Sequence, residues 1–170
     1  KNIILNSEID GHFPAHHPDP TDSKNLQQLI ETVKIKNYDL GIAFDGDGDR
    51  LGLVTRTGRV ILGDQILALL SRKVLKNIPG AEIIADVKSS DILYNEINKL
   101  GGNLVMWKTG HSLIKTKMKE INAPLAGEMS GHIFFSDRYF GFDDGIYAAL
   151  RVLECVKDKR YLDNFLDSLP

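Results

Sequence analysis

Leu40-Gly41-Ile42-Ala43-Phe44-Asp45-Gly46-Asp47-Gly48-Asp49-Arg50-Leu51-Gly52-Leu53-Val54-Thr55 decides the fold. A continuous apolar run, Leu40 to Phe44, has the length and composition of a buried strand. It empties into an acidic, glycine-alternated loop, Asp45 to Arg50, and a second apolar run follows, Leu51 to Thr55. Arg56-Thr57-Gly58 then reads as a hairpin turn, with glycine free to take positive φ, leading into Arg59 to Leu62. The hairpin is an antiparallel insertion into an otherwise alternating pattern.

Upstream, Asn2 to Leu5 reads as a short buried strand. A polar loop from Asn6 to Asp22 follows; it holds three of the six prolines, which keeps it out of regular structure. Leu26, Leu29, Ile30 and Val33 recur at helical spacing behind possible caps at Thr21, Asp22 or Ser23. The expectation is a β-α-β unit that places the acidic loop at the carboxyl end of its second strand.

Downstream, Asp64 is placed to cap a helix through Ile66, Leu67, Leu70 and Val74, and Pro79-Gly80 breaks the chain before a strand at Glu82 to Val87. Ser89 or Ser90 caps a helix carrying Leu93, Ile97 and Leu100, which ends at Gly101-Gly102 before a strand from Asn103 to Trp107. A helix from Ser112 to Glu120, strands near Leu125 to Ala126 and His132 to Phe135, a helix from Asp144 to Val156 and a short helix around Tyr161 to Leu166 complete the order. The class is α/β, with layered β-α-β units and mixed sheets, and the domain junction falls near Val60.

Composition limits partners more than it defines them. With 42% hydrophobic and 26% charged residues in 170, the chain has enough apolar content to bury a core. A net charge of −2 gives no basic face for nucleic acid or an anionic membrane. No stretch has membrane-spanning length, and Cys155, among Leu150, Val152, Leu153 and Val156, reads as a small core residue. A lone cysteine makes no internal disulfide, so a reducing, cytoplasmic setting is expected. Lys1 leading straight into an apolar run, and the ending Leu169-Pro170, read as an excised piece of a longer protein.

Asp45, Asp47 and Asp49 alternate with Gly46 and Gly48, so an extended backbone sets three carboxylates on one side. Unit anions about 4 Å apart repel by roughly 4 kcal/mol per pair at an effective dielectric of 20, a cost that a divalent cation removes. Hard oxygen ligands suit Mg²⁺ or Ca²⁺, and Mg²⁺ is the better choice where a phosphate supplies a further oxygen. An EF-hand needs glycine at its sixth position and glutamate at its twelfth, where this loop has Arg50 and Arg56. A phosphatase with an aspartate nucleophile accounts for an acidic pair but not for the whole hexapeptide, and a solvated acidic turn leaves the repulsion uncompensated. His12, His16 and His17 near Asp10 and Asp19 lack helix-spaced ligand pairing and read as loop contacts; Phe134, Phe135, Tyr139, Phe140 and Phe142 read mainly as packing.

The acidic hexapeptide resembles the metal loop of the α-D-phosphohexomutases, and Gly127-Glu128-Met129-Ser130-Gly131-His132 resembles their sugar-recognition loop. Asp86-Val87-Lys88-Ser89-Ser90, Trp107-Lys108-Thr109-Gly110-His111-Ser112, the segment Asp10 to Pro20 and the segment Phe140 to Gly145 are also similar to that family, so the resemblance spans nearly the whole chain. It implies two consecutive domains, the first incomplete: residues 1–59 as the end of a metal-binding second domain and residues 60–170 as a sugar-recognition third domain. A serine loop like Thr-Ala-Ser-His-Asn-Pro and a fourth-domain phosphate loop are not found in the sequence.

The resemblance further implies that Asp45, Asp47 and Asp49 bind Mg²⁺ and Arg50 neutralises phosphate charge. Lys88 and His111 then contact substrate and assist proton transfer, Glu128 and Ser130 bind sugar hydroxyls, and His132 holds phosphate or orients its loop. In isolation Lys88 reads as a solvated charge, His111 as a structural polar group and Glu-x-Ser as an ordinary loop. The implied activity of the complete protein is interconversion of hexose 1-phosphate and hexose 6-phosphate, of mannose or glucose, through a phosphoserine and a bisphosphate. The isolated chain is expected to be inactive without the missing serine and phosphate-loop domains, and a noncatalytic metal- or sugar-phosphate-binding module is the competing reading.

Overall fold

The computed structural model describes residues 2–169. Behind Asp22, whose carboxylate accepts the Lys24 N–H, a 3₁₀ turn Ser23–Leu26 leads into α1, Gln27–Lys36. The first sheet is antiparallel and comprises β1 (Leu40–Phe44), β2 (Leu51–Thr55) and β3 (Val60–Ile61), with β2 in the centre. Its register sets Leu40 opposite Thr55 and Phe44 opposite Leu51, so the acidic loop is the tip of the β1–β2 hairpin. The second turn, at Arg56 to Gly58, closes β2 onto β3 as expected; Gly58 takes φ +90° and the Arg59 carbonyl accepts the Thr55 N–H.

After α2 (Gly63–Asn77) the chain builds a mixed sheet from β4 (Glu82–Asp86), α3 (Asp91–Lys99), β5 (Asn103–Trp107), α4 (His111–Ile121), β6 (Leu125–Gly127) and β7 (Ile133–Phe135), with strand order β5-β4-β6-β7. β4 is parallel to both β5 and β6, while β6 and β7 form an antiparallel hairpin. α5 (Gly145–Cys155) and α6 (Tyr161–Asp167) follow.

α2 joins the two halves. Ile66, Leu67, Ala68, Leu69, Leu70, Ser71, Val74 and Leu75 are all buried, which is the pattern of a helix covered on nearly every side. One core cluster therefore includes Leu51, Leu53 and Ile61 from the first sheet, the α2 side chains, and Ile83, Ala85, Leu125, Ile133 and Phe135 from the second. Cys155 lies in the same cluster, where burial pushes its thiol up, in keeping with a packing role.

The halves also repeat. α1, β1, β2 and α2 match α4, β6, β7 and α5 in order, and α1 and α4 both end on an asparagine in the left-handed region, Asn37 at φ 59° and Asn122 at φ 54°. In each case one carbonyl, Val33 or Met118, accepts the N–H of the asparagine and of the residue after it. The acidic loop and the Gly127–His132 loop consequently occupy the same place in two copies of one hairpin.

Several expectations need correction. Asn2 to Leu5 is not a strand: it lies outside regular structure, and Ile3 and Ile4 are 52% and 78% exposed, with no strand among the described residues pairing with them. The expected β-α-β unit around the acidic loop is therefore not formed, and β1 pairs only with β2 among the described residues. Asp64 is inside α2 rather than its cap; Leu62 takes the cap position, and the Asp64 carboxylate accepts the Ser90 backbone N–H and hydroxyl at 3.0 and 2.6 Å. Ser90 occupies the cap position of α3, but its hydroxyl ties α3 to α2 instead of capping. Of the aromatic group, Phe134 and Phe135 are core residues and Tyr139 stacks on Tyr147 at 3.8 Å, while Phe140, 81% exposed, packs only at the surface, against the rings of Tyr139 at 5.2 Å and Phe142 at 6.1 Å.

α5 starts against the acidic loop. The Gly145 N–H donates to the Gly48 carbonyl at 3.0 Å, and a Cβ at Gly145 would lie 2.7 Å from the Arg50 oxygen and 2.8 Å from that of Gly48. Asp144 caps the helix by accepting the Tyr147 N–H, and buried Arg151 anchors it by donating to Asp137 at 2.7 Å with its guanidinium over Phe135. Gly145→Ala should force helix and loop apart and cost roughly 1–3 kcal/mol. Urea unfolding followed by circular dichroism is the check, and an unchanged midpoint would show that the contact is not needed.

Candidate functional site

The two hairpin loops touch. The Leu51 N–H donates to the Gly131 carbonyl at 3.0 Å, and Arg50 and His132 form an antiparallel β-bridge. Gly131 has φ +91°, and a Cβ there would sit 2.8 Å from the Leu51 oxygen, so a residue with a side chain would be strained and crowded. This backbone junction brings the acidic trio and the sequence-predicted sugar loop together.

Asp45, Asp47 and Asp49 each offer a carboxylate oxygen, all within 4.8 Å of one another. Asp45 is the structural member. Its Oδ1 accepts the N–H groups of Gly48 and Arg50, both at 3.1 Å, and its Oδ2 accepts Arg50 Nε at 2.6 Å. Burial alone would raise the Asp45 carboxyl, but its bonds to Arg50 outweigh it and hold the group below the ordinary value. Arg50 also donates through Nη1 to Asp19 at 3.1 Å, a loop residue that the sequence reading did not assign to the site.

Asp49 behaves oppositely. Burial and the nearby Asp45 and Asp47 charges raise its carboxyl despite the opposing pull of His132. Its Oδ1 is buried and has no hydrogen-bond partner among the described residues; His132 Nε2 stands 3.3 Å away, at ion-pair distance but without hydrogen-bond alignment. An orphaned carboxylate oxygen beside two further carboxylates fits a hard divalent cation bound through Asp45, Asp47 and Asp49.

His132 is the hub of the second loop. Its Nδ1 lies 2.8 Å from Ser130 Oγ and 3.2 Å from Glu128 Oε2. Burial works against the imidazolium, yet Glu128 and Asp49 outweigh it, and the ring is drawn toward the protonated form. Asp49, His132 and Asp143 also come within 4.8 Å of one another, a second cluster that shares Asp49 with the aspartate trio. Glu128 is only 3% exposed; Oε1 accepts the Gly110 N–H at 2.6 Å, and contacts with His132 and Gly110 overcome burial and keep its carboxyl low. The acid expected to face sugar hydroxyls is thus already bonded within the protein, locking the His111 loop to the His132 loop.

Lys88, His111 and Glu128 follow the carboxyl ends of β4, β5 and β6, the edge at which parallel sheets carry their ligands. Lys88 is exposed and makes no side-chain hydrogen bond among the described residues. His111 is at the first turn of α4, with its ring 6.2 Å from and stacked on that of His132. Asp143 and Lys115 were missed as site members: Asp143 Oδ1 accepts Lys115 Nζ at 2.9 Å, and Lys115 Nζ is 3.1 Å from His111 Nδ1. Asp143 stands in the family-like segment Phe140 to Gly145, which was the available signal; Lys115, one turn beyond His111, had none beyond that spacing. The His12, His16 and His17 loop gathers no ligand set among the described residues: His12 pairs with Asp10 at 2.9 Å and His16 with the His17 carbonyl.

Comparison with known proteins gives the class first. Residues 1–58 match the model for phosphoglucomutase/phosphomannomutase α/β/α domain II, and residues 62–170 match that for α/β/α domain III. The chain belongs to the phosphoglucomutase/phosphomannomutase family. It is 56% identical over 99% of its length to phosphomannomutase/phosphoglucomutase of Pseudomonas aeruginosa, and 51% identical over 96% to phosphoglucomutase of Neisseria gonorrhoeae. A crystal structure of a family protein from Burkholderia thailandensis superposes with a TM-score of 0.91 at 51% identity over 98% of the chain. The chain spans 36%, 35% and 36% of those three proteins, respectively. No helix among the described residues is long and apolar enough to cross a membrane.

The raised Asp49 carboxyl has a consequence for stability in the absence of any cation. A group whose folded value is raised contributes stability below its unfolded value and loses it as pH climbs through the folded one, so ionised Asp49 weakens the fold at neutral pH. Asp49→Asn mimics the uncharged form and should raise the urea midpoint of the chelator-treated protein at pH 7.5. Urea melts in excess EDTA measure this; a destabilised variant would mean that the His132 contact outweighs the crowding.

Proposed function

We propose that the complete protein interconverts hexose 1-phosphate and hexose 6-phosphate, with mannose and glucose phosphates as substrates, and that this chain supplies the cation-holding and sugar-facing walls of its cleft. Residues 1–59 are the end of the cation-holding domain and residues 60–170 the sugar-recognition domain. A phosphoserine and a second phosphate-binding loop come from elsewhere in the protein. The observation that carries this reading is the junction of the two hairpin tips, which sets Asp49 3.3 Å from His132 of the Gly127–His132 loop.

Asp45, Asp47 and Asp49 would hold Mg²⁺. When bound, the ion neutralises charge on the phosphoryl group and orients it. Arg50, fixed through Nε and Nη1 by Asp45 and Asp19, keeps the rest of its guanidinium for phosphate oxygens, with a pre-set direction. Lys88 extends from the end of β4 an ammonium with no hydrogen-bond partner among the described residues, where it serves as a phosphate or hydroxyl contact and as the group best placed to manage the hydroxyl proton. Ser130 and the free lone pairs of Glu128 accept from sugar hydroxyls, and His132 aligns both. Little covalent work falls to these side chains, because phosphoryl transfer is governed by positioning and charge stabilisation. The setting is proposed to be cytoplasmic, where sugar phosphates are available, and neither nucleic acid nor membrane is a partner.

Two measurements test the proposal. Mg²⁺ at 100 times its dissociation constant should stabilise the protein by about 2.7 kcal/mol, and Asp49→Asn should abolish that gain. In the complete protein with Mg²⁺ and a trace of hexose bisphosphate, conversion of glucose or mannose 1-phosphate should fall by about 10²-fold in kcat/KM for Lys88→Ala. Absence of any conversion by the unaltered complete protein would overturn the assignment.

A further inference from the structure

Lys115 is four residues beyond His111 on α4, so the two side chains share a helix face, and a lysine side chain reaches back toward the helix start. Its ammonium is not extended into water. It lies 3.1 Å from His111 Nδ1 and 2.9 Å from Asp143 Oδ1, and Asp143 is 7% exposed. An ammonium has only protons to offer, so the 3.1 Å contact requires a lone pair on Nδ1. The competing partner for Nδ1 is the other oxygen of Asp143, at 3.5 Å, which is longer and would require the opposite tautomer. The bond made by one imidazole nitrogen decides where the proton of the other resides.

We propose that Lys115 is a positioning residue that fixes His111 as the neutral tautomer protonated on Nε2, so that His111 serves as a hydrogen-bond donor to substrate oxygen rather than as a base. Asp143 holds the ammonium in place and balances its charge. Without Lys115, the nearest partner of Nδ1 is the Asp143 carboxylate; the ring then takes its proton on Nδ1 and turns a bare Nε2 outward. Neutral Nε2–H surrenders a proton only to form an imidazolate, so the hydroxyl proton of the transfer goes to another group. The consequence for substrate rests on the proposed mutase reading; the tautomer assignment does not.

The experiment uses the complete protein with ¹⁵N-labelled histidine and long-range ¹H–¹⁵N correlation at pH 7.5, with His111→Gln identifying the His111 signals. Nδ1 of His111 should read as unprotonated and Nε2 as protonated. In Lys115→Met the pattern should invert, whereas in Asp143→Asn, which removes the competing carboxylate, Nε2 should keep the proton. Thermal melts accompany both variants, and should Lys115→Met not fold, Lys115→Leu, which likewise has no donor, takes its place. A wild-type His111 protonated on Nδ1, an imidazolium, or a tautomer unmoved by Lys115 replacement would each overturn the proposal. In the mutase assay Lys115→Met should raise KM about tenfold with kcat changed less than threefold. A wild-type protein with the stated tautomer but no mutase activity would sink the functional reading alone.

Discussion

A single backbone junction underlies the site: Leu51 donates to the Gly131 carbonyl while Arg50 bridges to His132. Backbone bonds of this kind are short, directional and indifferent to side-chain rotamers, so they set two loops at fixed separation. The acidic hairpin tip and the tip bearing Glu128, Ser130 and His132 are parts of different sheets, yet their residues interleave. α2, buried on nearly every side, and α5, bonded to Gly48 through its first residue, hold the junction from behind.

Charge then organises what the backbone has assembled. Asp45 is satisfied by Arg50 and two loop N–H groups and forms the rigid floor of the trio. Asp49 is left with a buried oxygen lacking a hydrogen-bond partner among the described residues, and His132 lies between it and Glu128, whose charges draw the ring toward its protonated form. One carboxylate is thus committed to the protein, and another keeps an oxygen without a hydrogen-bond donor among the described residues. Oε1 of Glu128 is committed as well, because its bond to the Gly110 N–H ties the ends of β5 and β6 together, while Oε2 lies beside His132.

The parts legible in the sequence were those governed by local rules. Glycine turns, apolar runs and alternation located most of the strands and helices, and the spacing of Asp45, Asp47 and Asp49 announced their convergence. What escaped notice depended on partners distant along the chain. Asn2 to Leu5 has the composition of a strand, but a strand also needs a neighbour, and composition cannot report one. Asp64 looks like a helix cap from its position, while its bonds go to Ser90, 26 residues away. Lys115 and Asp143 are 28 residues apart, and only the packing of α4 beside the segment before α5 makes them a pair around His111. The Glu128 side chain is buried for the same reason: the Gly110 N–H needed an acceptor that only the fold could supply.

The hairpin repeat has a thermodynamic corollary. In the proposed reading, ion and sugar would sit at corresponding tips of two like hairpins joined by a main-chain hydrogen bond and a β-bridge, so the two sites would be coupled through that junction. Linkage makes the influence mutual: whatever factor the ion contributes to the grip on sugar, sugar returns to the grip on the ion.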